Sequence, residues 1–211
     1  MKYIKNLIIK FNKYTSTFNN GLYFRIWNLI FIIINKPIRL TSAGDSNIIL
    51  VSDNEDKIFI SQKLRTWFYF KSINNRLDSL GRMYFLDRIS FSENDIIIDC
   101  GANIGEIYKS IKLFNNKSFF YYGFEPVQSE FEIVQRNTIN QISRPIALYD
   151  KNEYKKIYLH IAGADSTLLQ DDRYHEGNLV ECIRLDSLSS LHSKKIKLLK
   201  LEAEGAELQV F

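Results

Sequence analysis

Asp99, Glu125, Glu202 and Glu204 are the acids placed to do chemistry, because each closes or follows an apolar run in this chain of 211 residues. The most informative stretch is Ile96-Ile97-Ile98-Asp99-Cys100-Gly101-Ala102-Asn103-Ile104-Gly105, which reads as a buried strand, an acid and a glycine turn into a helix. Gly101 and Gly105 let the backbone approach a ligand and let the helix begin close against the strand. This happens at the carboxyl edge, where open α/β sheets bind nucleotides.

The acid decides which nucleotide. A carboxylate just before the turn would repel a pyrophosphate, and the GxGxxG spacing of NAD enzymes is missing. An NAD-dependent oxidoreductase is therefore disfavoured. S-adenosylmethionine presents an ammonium and a sulfonium instead, and Asp99 suits that cation. Glu125 ends the next apolar run, Tyr122-Gly123-Phe124-Glu125-Pro126. An acid there either accepts both ribose hydroxyls or caps the helix that follows. Leu198-Leu199-Lys200-Leu201-Glu202-Ala203-Glu204-Gly205 is a third strand-to-turn passage. Its two acids alternate, so in an extended chain only one of them faces a methyl acceptor; the bland alternative is a solvated charged turn.

These positions require a scaffold of alternating strands and helices. Asp95 to Cys100, Phe119 to Phe124, Ile146 to Tyr149 and Ile196 to Leu201 read as strands. Glu106 to Phe114 and Val127 to Ile139 read as the intervening helices, an α/β pattern with a parallel sheet. Lys156 to Ile161 and Val180 to Leu185 suggest an inserted antiparallel pair or edge elements. Upstream, residues 2–13 form an amphipathic basic helix, and the apolar run from Trp27 to Ile34 continues as cover. Ile48 to Val51 and Lys57 to Ile60 flank an acidic turn as a hairpin. Ser61 to Ile89 is helical, with Gly81 expected to break it. The division expected is a helical and hairpin cover over 1–90 and a cofactor-binding domain over 91–211.

Composition narrows the class. With 12 Tyr and 15 Phe the chain buries too much surface to be disordered. The net charge is +4 with acidic residues interspersed, so no dense nucleic-acid footprint is expected. Cys100 and Cys182 sit in apolar runs and read as core. The three histidines form no ligand spacing, so no metal site is expected. The longest apolar stretch is about half of the ~20 residues a membrane span needs, and no signal-peptide pattern is present. The cytoplasm is the default location, with a peripheral membrane contact through residues 2–13 open beside simple packing of that helix on its own domain.

Six blocks in order resemble the motif series of the FkbM family of methyltransferases. They are Asp99 to Gly105, Phe124-Glu125-Pro126, Ala147-Leu148, Ala164-Asp165-Ser166-Thr167-Leu168, Leu185-Asp186-Ser187-Leu188 and Leu199 to Glu207. The resemblance implies a class I methyltransferase, Rossmann-like sheet, with S-adenosylmethionine as donor and O-methylation of a hydroxyl on a sugar, glycan or polyketide-like small-molecule acceptor. By position, Asp99, Gly101, Asn103 and Gly105 would hold the methionine portion, Glu125 the ribose, and Ala147 and Leu148 would border the adenine. Asp165 and Ser166 would lie near cofactor or acceptor. Glu202 or Glu204 would be the catalytic base, with Asp165 in reserve, or alternatively the acids would be oxygen ligands to a divalent cation. The family usually has Asp where Glu202 stands. The chain ends at Phe211, early after the fourth core strand, so it is expected to be a C-terminally truncated protein. The alternative function is accordingly an inactive fragment serving as a cofactor- or partner-binding module.

Overall fold

The computed structural model describes residues 2–44, 48–54, 56–160, 166–169, 174–191 and 194–210. The chain divides into two compact units, Met1–Leu80 and Gly81–Phe211.

In the first unit, α1 (Lys2–Thr15) and α2 (Asn20–Ile33) form a helical pair. α2 begins where the Asn19 side chain accepts the Leu22 amide, a standard way to satisfy an otherwise unpaired N-terminal N–H. Polar groups buried between the helices find partners. Tyr23 donates to Asn12 Oδ1 at 2.7 Å, and Trp27 Nε1 donates to Thr15 Oγ1 at 3.0 Å. A three-stranded antiparallel sheet follows, made of β1 (Ile38–Ser42), β2 (Ile49–Asp53) and β3 (Asp56–Ile60) in the order β1-β2-β3. The hairpin β2–β3 is as expected, and β1 is an addition to it. Asn28, which interrupts the apolar run of α2, docks β1: its amide accepts the Leu40 N–H at 2.7 Å and donates to the Leu40 carbonyl at 2.9 Å.

The stretch expected to be helical from Ser61 starts as a 3-10 helix, Lys63–Tyr69, and re-forms as α3 (Ile73–Met83). The break falls at Ser72, whose hydroxyl accepts the Asn75 amide while Asp53 accepts the Ile73 amide. Gly81 does not break the helix. A Cβ there would lie 2.3 Å from the Phe114 ring, so the glycine makes room for an aromatic neighbour.

The second unit holds a fully parallel sheet of order β11-β4-β5-β6, built from β4 (Asp95–Cys100), β5 (Phe119–Phe124), β6 (Ile142–Arg144) and β11 (Ile196–Leu201). The crossover helices are α4 (Glu106–Phe114) and α5 (Gln128–Asn137). This is the α/β arrangement with a parallel sheet that the strand–helix alternation predicts, and it is consistent with the Rossmann-like sheet that the family resemblance implies. Alternation along the strands makes two faces. Ile96, Ile98, Cys100, Tyr122 and Phe124 pack in one core cluster. On the other face Tyr108 of α4 lies on Phe119 and Tyr121, with ring centroids 5.5 and 5.2 Å apart.

One strand differs from expectation. Ile146 to Tyr149 is not the third parallel strand; β6 takes that place beside β5. Pro145 has no N–H for a ladder, and immediately after it β7 (Ile146–Leu148) pairs with β10 (Tyr174–Ile183) in a second sheet. That sheet has the order β7-β10-β8-β9, with β8 (Glu153–His160) and β9 (Ser166–Thr167) antiparallel to their neighbours. The β8–β10 pair is the antiparallel insertion read from the sequence.

Candidate functional site

The strand ends of the parallel sheet bring the sequence-selected acids together with three residues the sequence reading passed over. β4 and β5 run in register, Asp99 opposite Gly123 and Cys100 opposite Phe124, so both strands deliver their turns at the same edge. The turn after β4 is tight: Gly101, Asn103 and Gly105 all have positive φ, at 70°, 52° and 79°. Glycine and asparagine are the residues that adopt this conformation at least cost.

Glu125, at the end of β5, is buried and clasps that turn. One carboxylate oxygen accepts the Asn103 amide at 2.8 Å and the other accepts the Val127 amide at 2.9 Å. Of the two sequence readings of this acid, the helix cap is the one these bonds describe, and the same group secures the glycine turn. Burial pushes its carboxyl up to about 8, against the two amides that favour the ionised form.

Asp99 has no exposure at all. It sits on the helix-covered face of β4, where Tyr121 donates to Oδ2 at 2.5 Å and Lys200 Nζ lies 3.1 Å from Oδ1 as an ion pair without an aligned hydrogen bond. Gly123 lets the Tyr121 ring lean over: a Cβ there would come within 2.9 Å of it. Lys200 is directly opposite Asp99 across the β11–β4 ladder. Its ammonium also donates to the carbonyls of Cys100 at 3.1 Å and Gly101 at 2.6 Å, and lies 3.2 Å from Glu202. Burial alone would lower the Lys200 ammonium, but Asp99 and Glu202 outweigh it and hold it above the usual lysine value. The cation facing Asp99 in this structure is thus an internal lysine.

Glu202 is half exposed, and its carboxylate accepts a short hydrogen bond from Tyr84. Burial and this carboxylate push the Tyr84 hydroxyl above its ordinary range. Glu204 lies in a left-handed turn, φ 49°, so the backbone between the two acids is not extended. Its carbonyl accepts the Thr167 hydroxyl at 2.8 Å, which joins β9 to the turn after β11. Ser166 stands beside Thr167 on β9, half-buried and paired across to Leu159. Asp165 lies outside the described residues.

The glycines serve internal packing. A Cβ on Gly101 would fall 2.0 Å from the Glu202 carbonyl oxygen, and one on Gly105 would fall 2.8 Å from Thr138 Cγ2. Gly105 thus lets the start of α4 sit close against the end of α5 rather than against the strand, and Gly101 allows the close passage of two chain segments.

Ala147 and Leu148 are both buried in β7 but belong to different clusters. Leu148 packs with Ile98 and Phe124, whereas Ala147 packs with Ile157, Val180 and Cys182. Just beyond Glu125 a cavity of about 320 Å³ is lined by Pro126, Val127, Gln128 and the strand residues Ile157, Leu159 and Val180. Its apolar floor therefore shares the cluster of Ala147.

Cys100 and Cys182 are free, buried thiols pushed up by burial to about 12 and about 11, as core cysteines should be. Among the described residues no group of His, Cys, Asp and Glu is arranged to hold a metal. No described helix is long and apolar enough to cross a membrane. The sequence assigns no role to Lys200, Tyr84 or Tyr121. Lys200 was the detectable one, since a lysine inside an apolar strand must find a buried partner.

A family model described as "Methyltransferase FkbM domain" matches residues 99–211, more than half of the chain. A crystal structure of methyltransferase FkbM from Methylobacillus flagellatus KT matches at 15% sequence identity and a TM-score of 0.39, covering 70% of this chain and 38% of that one. This chain therefore spans well under two thirds of the length of that relative. A search of curated proteins returns no match.

Proposed function

The chain belongs to the FkbM methyltransferase family, and on that basis we propose that its second unit is the S-adenosylmethionine-binding part of an O-methyltransferase acting on a hydroxyl of a sugar, glycan or polyketide-like acceptor. The observation that carries this reading is the clasp between Glu125 and the glycine turn at the ends of two adjacent parallel strands, the place where α/β sheets bind nucleosides.

The donor set fits the nucleoside end of the cofactor. Each Glu125 oxygen accepts one amide, and a carboxylate oxygen has a second acceptor direction for a ribose hydroxyl. The cavity beyond Val127 offers Ile157, Leu159 and Val180 as apolar lining for a purine; Ala147 packs in the cluster of Ile157 and Val180, and Leu148 in the neighbouring one. Asp99 fits differently: enclosed by Lys200 and Tyr121, it acts on the methionine portion through the turn that Lys200 holds, together with Gly101, Asn103 and Gly105. S-adenosylmethionine supplies an electrophilic methyl group on a sulfonium. Glu202, fixed by Lys200 and Tyr84 at the end of β11, is the residue we assign to receive the acceptor's hydroxyl proton, with Glu204 as the second candidate. Ser166, and Asp165 by its place in the motif alone, are assigned to the neighbourhood of the cofactor or acceptor.

A cofactor- or partner-binding module without turnover is the second reading, favoured by the engagement of Glu202 with Lys200 and Tyr84. Calorimetric titration with S-adenosylhomocysteine tests the cofactor assignment. Saturable binding that Glu125→Gln weakens about 10- to 150-fold is expected above pH 8, where the carboxylate is ionised, the scale of a hydrogen bond to a charged group. A folded chain that does not bind, or a Gln variant that binds equally well, overturns it. Binding without methyl transfer to any hydroxyl acceptor selects the module.

A further inference from the structure

α2 carries large apolar side chains on its outward side as well as its inward one, which fits neither a surface helix nor a span. Tyr23, Trp27 and Phe31 face the interior, as a core-packing stripe should. The opposite side carries Leu22, Arg25, Leu29, Ile32 and Ile33, all exposed, with Leu29 and Ile32 at 57% and Ile33 at 72%. Single exposed leucines are ordinary, but a whole outward helix face of them marks an interaction surface. At 14 residues α2 is about 21 Å long, too short to cross a bilayer.

Charge says what covers this face. The first acidic residue of the chain is Asp45, so neither helix carries an acid, whereas α1 and α2 together carry Lys2, Lys5, Lys10, Lys13 and Arg25. On α1 the exposed side mixes Tyr3, Leu7 and Tyr14 with Lys10 and Lys13. An apolar protein partner gains nothing from such a ring of cations with no acid among them. Lipid headgroups of negative charge do, while acyl chains receive the leucines and isoleucines and lysine stems reach outward.

We propose that the α1–α2 pair docks on an anionic bilayer surface, α2 lying in the plane of the interface with Leu22, Leu29, Ile32 and Ile33 inserted. The proposal is independent of the methyl-transfer reading, since it rests on the first unit alone.

Vesicle flotation of the 211-residue chain tests it, using phosphatidylcholine vesicles with and without about one third phosphatidylserine. The chain should float with the anionic vesicles and not with the neutral ones, and binding should fall as salt is raised, because screening shortens from about 8 Å to about 3 Å toward 1 M. Lys10→Glu with Arg25→Glu should weaken binding roughly 25-fold or more, each cation near the surface being worth roughly fivefold. Leu29→Ser with Ile33→Ser should weaken it at least roughly tenfold through lost apolar insertion. All four changes are at exposed positions, and circular dichroism checks the fold. Absence of flotation, equal flotation on neutral vesicles, or a serine pair that binds like the parent overturns the proposal. So does a dimer in size-exclusion chromatography that the serine pair dissociates without any vesicle binding, which would assign the face to a second copy.

Discussion

Replacing Lys200 by Met removes the charge from the buried strand-end cluster while keeping an unbranched chain of similar length. Asp99 is fully buried, the Lys200 side chain is 5% exposed, and the two charges are 3.1 Å apart. At an effective dielectric of about 20, a pair at that separation attracts by about 5 kcal/mol. The measured consequence of deleting one partner of such a pair is about 3 to 5 kcal/mol, because the remaining charge is left unpaired. That is a large part of the ~5 to 15 kcal/mol that stabilises a domain. Lys200→Met should therefore lower the unfolding free energy of the second unit by about 3 to 5 kcal/mol near pH 7.

The assay is equilibrium urea unfolding followed by far-UV circular dichroism, since both tryptophans, Trp27 and Trp67, lie in the first unit and would report the other half. Two controls isolate the charge. Asp99→Asn added to Lys200→Met should recover at least about 1.5 kcal/mol by removing the orphaned carboxylate. The deficit of the single variant should also shrink at acidic pH, where Asp99 takes up a proton and nothing is left uncompensated. An equal deficit at acidic and neutral pH, with no relief from the Asn substitution, would refute this and attribute the loss to packing.

Glu125 makes a second pH signature. Its folded value, raised to about 8, lies above the ordinary 4.5. The folded state thus holds a proton that the unfolded chain has released, and stability falls as pH rises between those values, by up to about 1.4 kcal/mol per pH unit. Denaturation between pH 5 and pH 8 should show a shallower dependence in Glu125→Gln; an unchanged slope removes Glu125 as the source. Gly101→Ala should destabilise the second unit by about 2 to 4 kcal/mol in the same unfolding assay, because a Cβ would strike the Glu202 carbonyl oxygen at 2.0 Å with φ at 70°. Gly44→Ala, with φ 88° but no atom of the described residues within 4 Å, should cost only the conformational part.

The scaffold was readable because its strands are dense in β-branched and aromatic residues. Ile96-Ile97-Ile98 and Phe119-Phe120-Tyr121-Tyr122 left little choice of period or length, and both strands fall where expected. β1 was missed because five residues with Arg39 and Thr41 facing out form a weak alternation that only pairing with β2 makes a strand. The move of Ile146–Leu148 into another sheet depends on its partner β10, whose paired residues, Glu181 to Ile183, lie far along the chain. Within the site, the positions of Asp99 and Glu125 were legible but their surroundings were not. Alternation with Ile97 already puts Asp99 on the covered face, and the lysine that neutralises it was overlooked within its own strand. Tyr84 could not have been found, since it meets Glu202 across 118 positions.

The pairing of Asp99 with a lysine about a hundred positions later also sets an order of events in synthesis. At about 5 to 20 residues per second, Lys200 is added some 5 to 20 s after Asp99. Until then β4 has no charge partner for its acid and no β11 at its side, so the glycine turn cannot reach its final form. Formation of the strand-end cluster is therefore a late, high-contact-order step, and an incomplete chain exposes an unpaired β4 edge beside a carboxylate that keeps it hydrated.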